Sequence, residues 1–343
     1  MKKPFVISLL ALAALSLLMV RSTKTAVAAA QATSYKPAPL QLIQRIPLPG
    51  ITGRIDHFSP HPDSDIVIFA ALGNDSVEIV NAFKGKLVHT LQGLDEPQGV
   101  LYVPGFDKIF AANAGNGTVK VYDAKTFALR KTISLGEKSD TDNLRYDDTS
   151  KRVFVGIVGG IAMIDAASET HVGDLKGTGG HSEAFQLEKK GSRVFVNVPH
   201  DGDVVNVIDR KTGDVTKWEL NEAKGNFAMA LDEIDHRLLV VTRRPPLLIV
   251  LDTDSGKEVA RLPVAGECDD VYFDAPRKRI YAIGAEGFIS VIQQQDRDHY
   301  AAIGNVPTAV GVRTGIFFED DLYVGVPAAG LEPAQIWGYG VTE

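Results

Sequence analysis

Residues 98–135 read QGVLYVPGFDKIFAANAGNGTVKVYDAKTFALRKTISL. Four short apolar runs, Gln98–Val103, Lys108–Ala114, Thr118–Ala124 and Ala128–Leu135, are separated by the turn signals Pro-Gly, Gly-Asn-Gly and Lys-Thr-Phe. Short runs rich in β-branched and aromatic residues, bounded by Gly, Asn and Pro, indicate antiparallel strands. Four such strands connected in a meander make one blade of a β-propeller.

The same pattern recurs along the chain with a nearly constant period. Two positions mark it: the middle of each second strand, where the intervals are 41–44 residues, and the end of each third strand. The second-strand positions are Ile68, Phe110, Phe154, Phe195, Leu239, Tyr281 and Tyr323, and the third-strand ends are Asn81, Asp123, Asp165, Asp209, Asp252, Gln293 and Tyr339. A period of roughly 40–45 residues with four strands per repeat is typical of propellers. We therefore predict an all-β, seven-bladed β-propeller with four-stranded antiparallel blades.

The two ends of the repeat array complement each other. The last repeat has three strand-like runs, Val312–Phe318, Leu322–Val326 and Gln335–Val341, and then stops without an outer strand. Leu40–Leu48 has the pattern of an outer strand and precedes the first repeat. Because an open ring would expose unpaired strand edges, we predict that this N-terminal strand closes the ring. Residues 33–343 are then one propeller domain.

The first 32 residues have the order of a secretory signal peptide. Lys2 and Lys3 precede a 16-residue apolar run, Phe5–Val20, and small residues follow at Ala28–Ala32. We predict cleavage after Ala32, with other positions within 28–32 as alternatives, and a periplasmic or secreted protein. The apolar run is shorter than the roughly 20 residues that a membrane-spanning helix needs. We therefore expect no membrane span after processing.

The charge of the chain bears on its partners. Loss of residues 1–32 removes Lys2, Lys3, Arg21 and Lys24 and moves the formal charge from −7 to −11. An acidic body without a basic stripe argues against nucleic acid as a partner. The single cysteine, Cys268, excludes an intramolecular disulfide and a thiolate metal cluster. Its acidic neighbours raise the pKa of its thiol, so we interpret Cys268 as incidental.

The starts of the seven first strands form the predicted functional site. In a propeller each first strand lines the central channel, so that equal positions in the repeats meet on one ring. These positions are rich in acids, amides, histidines and arginines. The predicted ligand-binding residues at the channel mouth are Arg54, Asp56, His57, Gln98, Asp142, Asn143, His181, Glu183, Asn226, Asp269, Asp270 and Arg313. Loops between second and third strands emerge on the same face and add Arg243.

Several interpretations of this mouth stay open at the level of sequence. One is a divalent cation, with ligands among Asp56, His57, His181, Glu183 and Asp270. A second is an anionic ligand clamped by the arginines. A third is acid–base chemistry by Glu183 or Asp270, oriented by a histidine. A purely structural role is the fourth, since Asp and Asn at strand starts often accept turn N–H groups.

The aspartates that end the third strands have a different interpretation. Asp123, Asp165, Asp209 and Asp252 recur at the same place in their repeats, ahead of the turn into the outer strand. Asp side chains readily accept hydrogen bonds from the backbone two or three residues further on. We therefore predict that these four residues cap their turns and take no part in a site.

Three phrases carry a resemblance to a known family. GNDSVEIVNA (73–82), GNGTVKVYDAKTFALRKTI (115–133) and VNVIDRKTGDV (205–215) resemble the YVTN-type repeats of the YncE-like propeller family, and the similarity runs from about Leu40 to Val341. The resemblance implies an exported, bacterial, seven-bladed propeller with WD40-like repeats. It extends more distantly to lactonase-type propellers and to the propeller of heme-containing nitrite reductase. The chain has no CxxCH signature, so no c-type heme is expected.

The resemblance specifies the fold more narrowly than the function. The predicted function is an exported binding or scaffold protein that holds a small molecule, peptide or protein at the mouth of its channel. The alternative is a metal-dependent hydrolase of lactonase type, with a divalent cation as cofactor. A redox-partner propeller is a third interpretation, which requires a bound cofactor that no motif indicates.

Overall fold

The computed structural model describes residues 38–200 and 202–342, which are built almost entirely of β-strands. The strands pair in seven antiparallel sheets, and the residues Ala38–Glu343 form one compact unit. This confirms the predicted all-β, seven-bladed propeller. The predicted signal peptide and residues 33–37 lie outside the described part of the chain. The described residues contain no helix with the length and apolarity that a membrane crossing needs.

The strands follow one another as consecutive meanders. After β1 (Leu40–Leu48), blade 1 contains β2 (Phe58–Pro60), β3 (Ile66–Ala71), β4 (Ser76–Asn81) and β5 (Lys86–Leu91), with a 3-10 turn at Leu72–Asn74. Blade 2 contains β6 (Pro97–Val103), β7 (Lys108–Asn113), β8 (Thr118–Asp123) and β9 (Leu129–Ser134), and blade 3 contains β10 (Leu144–Asp147), β11 (Arg152–Asp165) and β12 (Thr170–His181). Blade 4 contains β13 (Phe185–Leu187), β14 (Arg193–Val198), β15 (Val204–Asp209) and β16 (Val215–Glu219).

The remaining blades repeat this order. Blade 5 contains β17 (Lys224–Asp232), β18 (Arg237–Arg244), β19 (Pro246–Asp252) and β20 (Glu258–Pro263). Blade 6 contains β21 (Cys268–Asp274), β22 (Arg279–Gly284), β23 (Phe288–Gln294) and β24 (Tyr300–Pro307). Blade 7 contains β25 (Gly315–Phe318), β26 (Asp321–Val326) and β27 (Ala334–Val341).

Blade 3 differs from the others because its second and third strands are continuous. β11 is extended over 14 residues, and the sheet has the order β10-β11-β12. The Ala166 N–H donates to the Lys151 carbonyl at 3.0 Å, and the equivalent bond that closes the hairpin in blade 2 is 2.9 Å. The chain therefore reverses within β11, where Gly159 adopts a φ of +83°. Blade 3 thus follows the same four-strand path as its neighbours, with a tighter turn between its second and third strands.

The predicted closing strand is present. β1 pairs antiparallel with β27, from Leu40 opposite Val341 to Leu48 opposite Ala334, so the last sheet has the order β1-β27-β26-β25. Leu40, Ile46 and Leu48 are almost completely buried, whereas Ile43 on the same strand is 57% exposed. The N-terminal strand therefore supplies both the fourth strand of blade 7 and part of its apolar face.

Apolar cores lie between adjacent blades. One core joins Ile68 and Ile79 of blade 1 to Val100 and Ile109 of blade 2, and similar clusters recur around the ring. Successive side chains of a strand point to opposite faces of its sheet. Because a second strand has a neighbouring blade on each face, both of its faces are buried, and its sequence is a continuous apolar run. This explains why the second-strand position was the clearest marker of the repeat.

Basic residues at the start of the second strands connect neighbouring blades. The Lys108 ammonium donates to the carbonyls of Ala166 and Ala167 in blade 3, at 2.8 and 2.9 Å. The Arg237 guanidinium, 2% exposed, donates to the Arg297 carbonyl in blade 6 at 2.9 Å. Arg193 and Arg279 make equivalent contacts with the carbonyls of Thr253 and Thr342. A buried cation is tolerated because backbone carbonyls and carboxylates surround it.

The third-strand aspartates cap their turns as predicted. Asp123 Oδ1 accepts the N–H groups of Lys125 and Thr126 at 3.0 and 2.8 Å. Asp165, Asp209 and Asp252 accept backbone N–H groups two or three residues further on at 2.7–3.1 Å. Their recurrence therefore reflects turn geometry.

Substitution within β1 tests the closure of the ring. Ile46→Ala should lower the free energy of unfolding by about 2–5 kcal/mol, because it removes buried methylene groups and leaves a cavity. Ile43→Ala, on the exposed side of the same strand, should change it by less than about 0.5 kcal/mol. Chemical denaturation of both variants measures the difference. Equal effects would mean that β1 does not seal the ring.

Candidate functional site

The loops before the first strands and the turns between second and third strands lie on one face, which we call the mouth face. Gly53, before β2, has a φ of +71°, and a Cβ there would lie 2.7 Å from the Cα of Gly73, after β3. Only glycine accepts this combination of backbone conformation and close approach. The close packing of Gly53 against Gly73 fixes the position from which the next residues, Arg54 to His57, enter the mouth.

A residue with left-handed backbone precedes the site residues in several blades. Gly53, Glu96, Asp140, Glu267 and Gly311 have φ values of 71°, 48°, 46°, 55° and 93°. Such values are uncommon for residues other than glycine, and they turn the chain sharply. The following two or three residues are thereby directed toward the channel at equivalent places in the ring.

Four of the blades place the predicted residues just before the first strand rather than within it. His57 precedes β2, Asn143 precedes β10, Glu183 lies two residues before β13, and Arg313 lies two residues before β25. In these blades the pairing of the first strand with the second strand begins only after the site residues. The side chains therefore converge over the top of the channel instead of standing along its wall.

His57 is the centre of the first group of charges. Its Nδ1 lies 3.3 Å from Asp270 Oδ1, and its Nε2 lies 3.6 Å from a carboxylate oxygen of Asp56 and 3.6 Å from one of Asp142. The amide nitrogen of Asn143 is 2.9 Å from the same Nε2. One imidazole thus contacts three carboxylates from three blades.

His181 forms the second group and shares Asp142 with the first. Its Nε2 lies 3.3 Å from Asp142 Oδ2 and 3.5 Å from Glu183 Oε2, and its Nδ1 lies 3.3 Å from Asp140 Oδ2. Asp142 is 1% exposed. A single buried carboxylate therefore lies between the two histidines.

Three arginines surround Asp269 in the third group. Arg243 forms an ion pair with it, and the side chains of Arg54 and Arg313 approach it to 3.9 and 3.7 Å. The Arg243 guanidinium also stacks over the Phe227 ring, with its central carbon 3.3 Å from the ring centroid. Arg54 is closer to Asp56, at 2.7 Å, and Arg243 also pairs with Glu267 at 3.4 Å, so acids and arginines alternate in this part of the mouth.

Ten of the twelve predicted residues belong to one network of contacts. They are Arg54, Asp56, His57, Asp142, Asn143, His181, Glu183, Asp269, Asp270 and Arg313. Gln98 lies at the edge, where its side chain donates to Asp140 at 3.4 Å. Asn226 donates to Asn197 and to the Val204 carbonyl, and among the described residues no hydrogen bond or ion pair connects it to the network.

Several acceptor oxygens in the network have no hydrogen-bond donor among the described residues. Both carboxylate oxygens of Asp56, Oδ1 of Asp142 and Oδ2 of Asp269 are buried in this way. Ion pairs partly compensate them, as where Arg54 approaches Asp56 to 2.7 Å. Buried acceptors without donors cost free energy, so a cation or a donor-bearing ligand would stabilise them.

The histidines carry raised pKa values. Burial alone would lower the pKa of His57, but the charges of Asp270 and Asp56 outweigh it and raise this pKa to about 10. Burial also opposes protonation of His181, whereas the hydrogen bond and charge of Asp142 raise its pKa to about 9. These raised pKa values favour the imidazolium form of both rings at neutral pH, whereas the Asn143 amide nitrogen beside His57 Nε2 suits a proton acceptor at that atom.

The carboxyl groups of the mouth differ in the direction in which their pKa values are shifted. Burial and the charge of Asp142 raise the pKa of Glu183 to about 7, and burial likewise raises the pKa of Asp56. Burial would also raise the pKa of Asp142, but the hydrogen bond from His181 and the charge of His57 outweigh it and hold this pKa below its ordinary value. Glu183 is therefore the carboxyl group that exchanges a proton near neutral pH.

One subset of the network has the spacing of a metal site. Asp142, His181 and Glu183 each offer a ligand atom, and these atoms lie within 4.8 Å of one another. Carboxylate and imidazole ligands of this kind suit zinc and related divalent cations. Asp56, His57 and Asp270 lie on the other side of Asp142.

Cys268 has the passive role predicted for it. It is fully buried, and its thiol donates to the Asp270 carbonyl at 3.2 Å. Burial and the nearby charge of Asp270 raise the pKa of the thiol far above its ordinary value. The sulfur is therefore a poor nucleophile and a poor ligand.

The sequence prediction missed Asp140, which contacts His181, and Arg145, which lies in the channel below the mouth. Asp140 precedes the position compared across repeats and reaches the site because of its left-handed backbone. Arg145 follows Asn143 by two residues, and side chains two apart share one face of a strand. A comparison of every second residue along each first strand would have identified Arg145.

Comparison with solved structures supports the fold. Hydrazine synthase of Kuenenia stuttgartiensis matches with a TM-score of 0.71 and 15% identity, over 80% of this chain and 92% of that one. A chain in the crystal structure of the mitotic checkpoint complex matches with a TM-score of 0.72 and 16% identity, over 88% and 92%. No protein-family model and no curated protein matches the sequence. Identities this low show a shared fold and no shared function.

The raised pKa values predict how stability depends on pH. A histidine whose pKa is above 6.5 in the folded state stabilises the fold fully below pH 6.5, and this stabilisation is lost as the pH rises through the folded value. The free energy of unfolding should therefore fall between pH 6.5 and 9, by at most about 1.4 kcal/mol per pH unit for each histidine. His57→Gln should reduce the slope, and the exposed-site control His89→Gln should not. A wild-type slope of zero or opposite sign in denaturation curves would contradict the assignment.

Proposed function

We propose that this chain is an exported binding protein of the YncE-like, YVTN-repeat type, which holds a small molecule, peptide or protein partner at the mouth of its channel. The observation that carries the proposal is the network of ten predicted residues, contributed by loops far apart in sequence. A propeller needs no such buried charges for its stability, because its cores lie between the blades. Buried ionic networks cost desolvation free energy, which supports a functional reason for this one.

The distribution of charge supports a particular kind of ligand. Around His57 the unpartnered groups are acceptors, and Asp56 alone has two buried oxygens without a hydrogen-bond donor among the described residues. Around Asp269 the side chains of Arg54 and Arg313 are 43% and 28% exposed, so they can donate to an anionic group of a ligand. A ligand with an amine at its inner end and an anionic group at its outer end would satisfy both parts. Amino-acid-like molecules and peptide termini have this character.

A metal-dependent hydrolase of lactonase type is the second candidate. The observation that favours it is the cluster of Asp142, His181 and Glu183, whose donor atoms suit a divalent cation. A bound cation would act as a Lewis acid. His181 would have to lose its proton to bind the cation, so metal affinity should rise with pH.

The proposals about export and about the kind of partner rest on the amino-acid sequence. The order of charged, apolar and small residues in Met1–Ala32 supports cleavage and a periplasmic or secreted location in a bacterium. The net charge of −7, which becomes −11 after cleavage, supports a partner other than nucleic acid.

Native mass spectrometry of the protein isolated from its own host tests both candidates. The polypeptide mass should correspond to a chain that begins within residues 29–33, which fits cleavage after positions 28–32. The native mass should exceed it by one bound species, which Asp142→Asn and Glu183→Gln should remove because they delete acceptor charge at the mouth. The outer-strand variant His89→Ala should retain the bound species.

The nature of the bound species distinguishes the candidates. An organic amine that resists chelation supports the binding protein, and a divalent cation lost to a chelator supports the hydrolase. An intact Met1 would contradict export. A native mass without any bound species, together with unchanged stability of the Asp142 and Glu183 variants, would mean that the mouth is not a binding site.

A further inference from the structure

A cavity of about 350 Å³ lies in the channel below the mouth. His57, Asn143 and Asp270 form its upper limit and so separate it from the charged groups above. Below them the walls are mainly apolar, with Met229, Leu231 and Ile316 among the lining residues. The volume falls within the range of pockets that bind small organic molecules.

Arg145 is the unusual group in this cavity. Its Nη1 donates to the Asn143 side-chain oxygen at 3.2 Å and to the Leu144 carbonyl at 2.8 Å. Its guanidinium lies 5.5 Å from the centroid of the Phe185 ring. Among the described residues it forms no ion pair, and Nε and Nη2 make no hydrogen bond. Burial lowers the pKa of Arg145, yet a guanidinium stays charged in proteins. The cavity therefore holds a cation with unused donors.

Asp270 is the only carboxylate among the described residues that line the cavity, and its charge is already compensated. Asp270 contacts His57 at 3.3 Å through one oxygen and accepts the Gly315 N–H at 3.0 Å through the other. It therefore does not neutralise Arg145. Arg145 is half-buried, and its unused donors face a space that is partly screened from bulk water, where an anion interacts with a guanidinium more strongly than it does in open solvent.

A groove on the face opposite the mouth shares two lining residues with the cavity. Arg145 and Gln186 also line a groove that includes Thr149 and Lys189, which lie in the turns between first and second strands. The acids of that groove pair with other residues, since Asp147 pairs with Arg210 at 3.1 Å, Asp148 with Lys151 at 2.6 Å and Glu188 with Arg193 at 2.5 Å. None of the three therefore pairs with Arg145, which borders both the groove and the cavity.

We propose that this cavity is a second binding site, below the mouth and bordered by its residues His57, Asn143 and Asp270, for a small organic carboxylate with an apolar body. The carboxylate lies on the free edge of Arg145, and the apolar body lies against Met229, Leu231 and Ile316. A guanidinium donates two parallel hydrogen bonds to a carboxylate, which favours this anion among those of similar size. The apolar wall selects against inorganic anions, which have no surface to bury there.

Isothermal titration calorimetry with hexanoate, hexanamide and inorganic phosphate tests the site. Hexanoate should bind at one saturable site, and the neutral isostere hexanamide and phosphate should bind at least about tenfold more weakly, because each lacks one of the two interactions. Arg145→Gln should remove the preference for hexanoate over hexanamide. Arg145→Lys, which keeps the charge and serves if the glutamine variant does not fold, should weaken hexanoate binding by about tenfold.

Arg297→Gln is the matched control, since this arginine is 56% exposed in a turn between third and outer strands, outside the cavity. It should leave hexanoate affinity unchanged. Absence of saturable hexanoate binding to the wild-type protein would overturn the proposal. Hexanoate affinity that survives both Arg145 substitutions would place the probe at the arginines of the mouth and overturn it equally. Phosphate binding as tight as that of hexanoate would overturn the assignment of an apolar ligand.

Discussion

Hydrogen bonding between the first and last strands of the domain is the constraint on which the structure depends. β1 and β27 are separated by almost the whole chain, yet they pair along their full length and complete blade 7. Thr314 adds a hydrogen bond to the Ile55 carbonyl at 3.1 Å, which joins blade 7 to blade 1. Without this closure, two sheet faces and a strand edge would be exposed to solvent. Closure also sets the geometry of the channel, because it holds seven equivalent loops at one radius.

The mouth is a consequence of that geometry. Asp56, Asp142 and Asp270 come from different repeats, and the ring brings a carboxylate oxygen of each to 3.3–3.6 Å from a nitrogen of His57 or His181. Carboxylates gathered around one buried imidazole repel one another, and protons or cations must compensate them. The raised pKa values of the two histidines and the three arginines supply that compensation. The mouth is therefore a charge-balanced but incompletely hydrogen-bonded pocket, which suits a dipolar ligand better than a uniformly charged one.

The fold could be predicted from sequence because its determinants are local and repeated. Phe110 and its counterparts mark strands that are buried on both faces, and Asp123 and its counterparts mark turns. The site could be predicted in part, since equal repeat positions must meet. Asn226 lies apart from the network because its amide donates to Asn197 and to the Val204 carbonyl. The grouping of Asp142 with His181 and Glu183, and the isolation of Arg145, depend on rotamers and loop backbone that no repeat period encodes.

The central claim is that the mouth holds two charged histidines among carboxylates. Imidazole nitrogen-15 chemical shifts in the wild-type protein measure this directly, with His57→Gln and His181→Gln used to assign the signals. The account predicts that both rings carry two protons at pH 7.5, and that they lose one only as the pH approaches about 9 for His181 and about 10 for His57. A neutral tautomer of either ring at pH 7.5 would contradict it.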